Sequence, residues 1–185
     1  MKAEDRILSK RYARGYLDLA GRAFSAREEA AAAAAIKDLA AVRAAIDGAM
    51  RALLHPLVGY REKDGILSRL LSGELARSRA AVFTRLLIRE HRFHLLDAVI
   101  EDCGALYDLH AGITPASAVS GHSLDEAELR RISGALSAAS GRKVRLTGAV
   151  SERAVGGVEI RMGDLLIDAT VKGRLERLKR LVLAD

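Results

Sequence analysis

The opening segment of the chain repeats apolar residues at the three- and four-residue spacing of an amphipathic helix. Residues 6–24 carry one stripe of Leu8, Tyr12, Tyr16, Leu19 and Ala23, and beside it a second of Ala13, Leu17, Ala20 and Phe24. At 100° per residue the two stripes lie about 110° apart. Together they make an apolar arc wider than a helix with one buried face needs. One stripe can face the protein's own interior, and the other needs a second cover. From Ser25 the pattern predicts a long helix, opened by a capping box of Ser25 and Glu28. Its alanine tract over 30–35 is strongly helix-forming, and Ile36, Leu39, Ile46 and Leu53 mark its inner side and continuation. Gly48 ends or kinks it. His55-Pro56 stops the next short helix, because the residue before a proline is pushed out of the α region. Helices follow over 62–72, 74–90 and 92–108, the last with Phe93, Leu96, Ile100, Cys103 and Tyr107 in register. So many helices on short loops predict a bundle of five or six.

The period changes near residue 110. Residues 111–120 hold Ile113, Pro115 and Val119 among small residues, which suits an edge strand. Ser123 to Glu126 forms another capping box, opening a helix with Leu129, Ile132 and Leu136 that Gly141 closes. Alternation of period two then takes over at Val144 and Leu146, and again at Val158, Ile160 and Met162. Gly163-Asp164 suits a two-residue II′ hairpin turn into Leu165-Leu166-Ile167. A closing helix places Val171, Leu175, Leu178 and Val182 on one stripe, which is expected to pack on the small sheet. The fold class is therefore α+β: a helical bundle over 1–108 and a small α/β domain over 109–185.

Composition narrows the function more than it defines it. Among 185 residues aromatics are 4% with no Trp, too few for base-stacking platforms. The single Cys103 excludes a disulfide framework and a cysteine-rich zinc site, and points to a reducing compartment. The longest apolar run, over 30–36, is far short of the roughly 20 residues that span a bilayer. The first residues carry two acids and lead into no apolar stretch, unlike a secretory or transit leader. Net charge is +6, with 18 basic and 14 acidic residues up to position 105, so the excess is spread rather than striped. That favours a solvated surface, with a basic helical nucleic-acid-binding protein as the alternative reading.

No phosphate loop, dinucleotide turn, zinc-helix motif or serine elbow occurs in the chain. His91, His94 and His110 lack Cys or carboxylate partners at ligand spacing and read as surface or helix-end residues. Cys103 lies on an apolar stripe as a buried thiol. Asp164 reads as a turn residue, and Asp168 as a cap of the final helix. Gly156-Gly157 leads into a strand rather than a helix, so it marks a bend or a close backbone approach. No catalytic residue, cofactor or metal is assigned.

The segment from Val150-Ser151-Glu152-Arg153 through Gly156-Gly157-Val158 to Met162-Gly163-Asp164 resembles the signature of the delta subunit of F-type ATP synthases, the oligomycin-sensitivity-conferring protein family. Ile167-Asp168-Ala169-Thr170-Val171 with Lys172, Arg174 and Leu175 resembles that family's next block, and Arg11-Tyr12-Ala13 its first helix. Leu86-Leu87 with Glu90-His91-Arg92-Phe93, and Thr114-Pro115-Ala116, match further segments in order. Ser151, Ala154, Thr170 and His91 depart from the family's usual acidic or polar residue, aliphatic, Ser and Asn.

The resemblance implies a non-catalytic stator in the peripheral stalk, on the cytoplasmic face of a bacterial cell membrane. It resists rotor torque while hydrogen-ion transport drives ATP synthesis. It also implies a six-helix N-terminal bundle holding the N-terminal segment of an alpha subunit, and a C-terminal domain joined to the b subunits. The groove would lie between the first helix and the family's fifth, here about 75–89. Tyr12, Ala13, Tyr16, Leu17 and Ala20 would form one wall, and Val82, Leu86 and Leu87 the other. A large charged residue at Ala13 is expected to weaken that binding and leave the bundle folded. The rival expectation is that these side chains only fill the core.

Overall fold

Residues 3–20, 29–151 and 156–182 are described in the computed structural model of the chain, side chains at 20, 176–178 and 180–182 excepted. The apolar periodicity of the first part is realised as helices: α1 Ala3–Ala20, α2 Glu29–Ala45, α3 Met50–Leu54, α4 Tyr60–Leu70, α5 Gly73–Arg77, α6 Arg79–Arg89 and α7 Leu96–His110. The expected Ser25–Glu28 cap lies outside the described residues. Gly48 falls in a 3-10 turn, Asp47–Ala49, between α2 and α3. His55 is extended (φ −67°, ψ 128°), so Pro56 ends α3 as its geometry demands.

The helix expected over 74–90 is instead two. Ser78 is extended (φ −64°, ψ 155°) between α5 and α6. Its Oγ donates to the Leu75 carbonyl (2.8 Å) and accepts from the Ala81 N–H (3.2 Å). A serine that satisfies backbone groups on both sides closes one helix and caps the next. A second 3-10 turn, Phe93–Leu95, leads into α7.

Ala13, Leu17, Leu39, Val42, Leu87, Leu96, Val99 and Cys103 share one closed core. Each fully buried leucine there contributes about 1.5–3 kcal/mol.

The chain divides into two compact units, residues 1–110 and 111–185. The second contains β1 Ile113–Ser120, α8 Glu126–Ser140, β2 Lys143–Val150, β3 Val158–Met162, β4 Leu165–Asp168 and α9 Val171–Val182. The sheet order is β2-β1-β3-β4. The β1–β2 pair is parallel, with Ala116 opposite Leu146, and α8 makes the crossover. The β1–β3 and β3–β4 pairs are antiparallel.

Here β1 is central rather than at the edge. Pro115 lies one residue beyond the β3 ladder, which stops with Met162 opposite Ala116, so on that side the missing N–H forfeits no bond. Gly163 alone of its turn pair takes positive φ (+57°), the pattern of a II′ hairpin. Asp125, not Ser123, caps α8. Its Oδ1 accepts from the Glu128 N–H (2.7 Å), while Glu128 Oε2 accepts from the Asp125 N–H (3.0 Å). Gly141 closes the helix in the left-handed region. Ala118, Leu136 and Ile160 form the small core, with Val144, Leu146 and Ile167 against it.

Candidate functional site

The two stripes of α1 have different fates. Ala13 and Leu17, from the second stripe, are sealed in the bundle core at 0% and 1% exposure. From the first stripe, Leu8 and Tyr12 are half-buried and Leu19 is 73% exposed. Tyr16, also on the first stripe, is sealed at 3%, so the surplus apolar surface of that stripe is Leu8, Tyr12 and Leu19. It faces α6, where Val82 is 61% exposed and Leu86 lies open beside it.

Between them runs an apolar trough made of two adjoining hollows. One, of ≈ 380 Å³, is lined by Leu8, Tyr12, Gly15, Tyr16, Leu19, Phe83 and Leu86. The other, of ≈ 630 Å³, shares Tyr16, Leu19, Phe83 and Leu86 and extends to Val82 and Tyr60.

The floor is rigid. The Phe83 ring sits 4.8 Å from that of Tyr16 and meets Tyr12 edge-on at 6.2 Å. The Tyr16 hydroxyl donates to the Ala35 carbonyl on α2 (2.9 Å). Burial, and then the charge of Asp38, raise the Tyr16 pKa well above the ordinary tyrosine value. The Tyr12 hydroxyl accepts from Arg92 Nη1 (2.8 Å), whose guanidinium also lies 5.7 Å from the Tyr12 ring centre. Arg79 Nη1 donates to the Leu19 carbonyl (2.9 Å), tying the end of α1 to the start of α6.

Of the eight residues expected to form the walls, Tyr12, Tyr16, Val82 and Leu86 line this trough. Ala13, Leu17 and Leu87 do not, since they are core residues at 0–1% exposure. The Ala20 side chain lies outside the described residues. A charged residue at Ala13 would break the core rather than probe the groove, because Cys103 Sγ already packs 3.8 Å from the Ala13 carbonyl. Leu8, Leu19, Phe83 and Tyr60 were missed. The first two stood on the first stripe all along, whereas Tyr60 arrives from the distant start of α4 without any local signal.

In the second unit the glycine-rich segment holds α9 to the β3–β4 hairpin. Gly157 has φ +86°, and a Cβ there would run into the Ala169 carbonyl and come within 2.8 Å of Thr170 Cα. This is the close backbone approach expected of the glycine pair. The Val171 N–H donates to the Gly156 carbonyl (2.9 Å), and the Ala169 N–H to Val158 (3.0 Å). Asp168 stands at the start of this helix, as expected, and takes a backbone N–H there. Its Oδ1 accepts from the Thr170 N–H (2.8 Å) and hydroxyl (2.6 Å), and Thr170 Oγ1 in turn accepts from the Gly173 N–H (3.0 Å). Thr170 is thus the N-cap and Asp168 holds it in place.

Of the aliphatic stripe of α9 expected to pack on the sheet, Leu178 and Val182 lie outside the described side chains, and the other two residues stand open. Val171 is 52% and Leu175 61% exposed. The sheet's covered face is already occupied by α8, whose Leu129 lies 3.3 Å from where a Gly148 Cβ would stand.

Reactive chemistry is not assembled. Among the described residues no three His, Cys, Asp or Glu are placed to hold a metal. His94 Nε2 lies 3.6 Å from Asp5, and His91 takes a left-handed turn (φ 55°) after α6. Burial, then the Asp102 charge, push the Cys103 thiol up to about 12, so it stays protonated and unreactive.

Fold and site together define a helix-rich α+β protein with apolar surface left uncovered on each of its two units. The family model described as ATP synthase delta (OSCP) subunit matches residues 8–182. The chain belongs to that family.

Its relatives include the ATP synthase subunit delta of Chlorobium phaeobacteroides, 33% identical over 176 residues and 94% of each chain. That of Lactobacillus gasseri is 34% identical over 137 residues, 74% of each. A chain in the cryo-EM structure of the Toxoplasma gondii mitochondrial ATP synthase hexamer shares the fold. Its TM-score is 0.57 at 23% identity, with 96% of this chain and 98% of that one covered.

The family is a stator component of the peripheral stalk, structural rather than catalytic, and its partners are ATP synthase subunits. It sits peripherally in the complex, and no described helix is long and apolar enough to cross a membrane. The nucleic-acid reading has no support from these relatives.

Proposed function

We propose that the trough between α1 and α6 receives the N-terminal segment of an alpha subunit, so that the helical unit grips the catalytic head. The b subunits of the peripheral stalk then join the second unit, residues 109–185 in the sequence reading. Counting α5 and α6 as one element broken at Ser78, and each 3-10 turn with the helix it enters, the described residues are compatible with the six-helix bundle that the resemblance implies. The assembled complex places the chain at the cytoplasmic face of a bacterial cell membrane. Rotor torque is then resisted by two joints, one on each unit.

The observation that carries the first joint is Leu19 and Val82, two large aliphatic residues standing open on opposite walls above a closed aromatic floor. An amphipathic helix laid in such a groove buries its apolar face against both walls. Each fully covered aliphatic anchor contributes about 1.5–3 kcal/mol before the entropy of association is subtracted. For the second joint, the exposed Val171 and Leu175 make the apolar stripe of α9 the contact surface.

The groove is tested by Leu19→Asp and Val82→Asp in the full chain, titrated with the alpha N-terminal segment. Both positions are exposed, so the helical circular dichroism is expected to persist while affinity falls about 10- to 100-fold. Unchanged affinity with an intact fold removes the groove from the mechanism.

A further inference from the structure

We infer that the segment received by the trough is acid-flanked: an amphipathic helix whose apolar stripe is bordered by Glu or Asp on both sides. The inference rests on the groove reading above and adds the charge chemistry of the partner. Across the two adjoining hollows every charged lining residue is an arginine, and no carboxylate lines either one. Arg11 on α1 and Arg92 just after α6 line the smaller hollow, and Arg77 and Arg89 are among the arginines lining the larger, so cations come from the α1 wall and from the α5–α6 wall.

The hollow on the opposite flank of α1 is different, for there Asp18 and Asp102 stand among the basic residues. The same helix therefore borders one hollow of mixed charge and one, the trough, of a single sign. Some of the trough's arginines are already committed within the fold. Arg85 is paired with Asp64 (2.8 Å), and Arg92 with the Tyr12 hydroxyl. Arg11 and Arg77 are exposed and form no ion pair among the described residues, and Arg89 meets only Glu90 at 3.4 Å.

Cations of one sign beside a low-dielectric apolar floor focus a positive potential along the groove. An apolar helix with basic flanks would be repelled from it, one with neutral flanks would gain only its apolar burial, and one with acidic flanks gains both. The arginines thereby select register and partner as well as adding affinity.

The experiment uses the full chain and two synthetic helical peptides with one identical leucine stripe, flanked in one by Glu and in the other by Gln. At low salt the Glu peptide is expected to bind about tenfold more tightly. That advantage should shrink toward unity at about 0.5 M salt, where charges a few ångström apart are screened. Arg77→Glu with Arg89→Glu should reverse the preference, and Arg77→Gln with Arg89→Gln should merely erase it. Equal affinity for the two peptides, with Leu19→Asp still weakening binding, overturns the charge inference and leaves the groove standing. Binding of both peptides that Leu19→Asp does not weaken overturns the groove reading itself.

Discussion

The two units of this chain solve the problem of burying apolar surface to different degrees. The helical unit holds all seven aromatic residues of the sequence, four Tyr and three Phe, and seals ten or so large side chains to below 2% exposure. Part of its surplus gathers in the trough, where Leu19 and Val82 stand open, while Ile7, Leu57 and Leu109 are exposed elsewhere on the unit. The sheet unit has no aromatic residue at all, and only Ala118 in its core cluster reaches 0%. Leu165, Leu166, Val171 and Leu175 are all at least half exposed. The first unit therefore folds around its own core and offers a slot. The second offers a helix on which Val171 and Leu175 stand more than half exposed. A joint of each kind suits a stator, since one end receives a rod and the other supplies one.

The comparison can be broken at its weakest point by removing α9. Truncation after Asp168 is expected to abolish co-purification with the b subunits while leaving alpha-segment binding intact. Retained stalk attachment would show that the exposed stripe is not the second joint. Leu175→Asp, at a position already exposed, should give the same loss without shortening the chain.

A smaller but still large effect is expected from Leu39→Ala, which empties a fully buried site in the helical core. It should cost about 3 kcal/mol and lower one thermal transition only. If both transitions fall together, the units are not independent in stability.

Gly157→Ala places a methyl group against the Ala169 carbonyl at a left-handed φ of +86°. A loss of about 2 kcal/mol is expected in the sheet unit alone, read from denaturant unfolding of that transition.

The smallest effect is in pH. Tyr16 and Cys103 both have pKa values raised in the folded state by burial, so folding favours their protonated forms. Below about pH 8 both states hold these protons and stability does not depend on them. As pH rises past the unfolded thiol and phenol values, the unfolded chain releases protons that the folded chain keeps, and stability falls toward pH 12. Only the helical transition should move, because the sheet unit contains neither Tyr nor Cys. Cys103→Ala should flatten the early part of that decline, as followed by melting temperature against pH.

Much of this could be read along the chain because helices and strands announce themselves by period. Pro56 and Gly141 ended their helices for steric reasons that act over one or two residues, and the Gly163 turn is equally local. Reading failed where two local solutions were equally good. Ser123 with Glu126 and Asp125 with Glu128 are overlapping capping boxes of identical spacing, and only the docking of α8 on the sheet chooses between them. Ser78 is unremarkable inside a helix until its hydroxyl is seen bonding on both sides. Pro115 pointed to an edge because the length of β3 is not written near it.

The amphipathic period of α1, its excess of apolar surface, the helical and sheet halves, and the glycine-marked latch before α9 were all determined by sequence alone. They depend on backbone sterics and on side-chain spacing within a few residues. Which apolar residues of α1 are buried, the single sign of charge around the trough, and the exposure of Val171 and Leu175 were decided only in three dimensions. Burial and electrostatic potential are sums over neighbours that arrive from distant segments, and no window along the chain contains them.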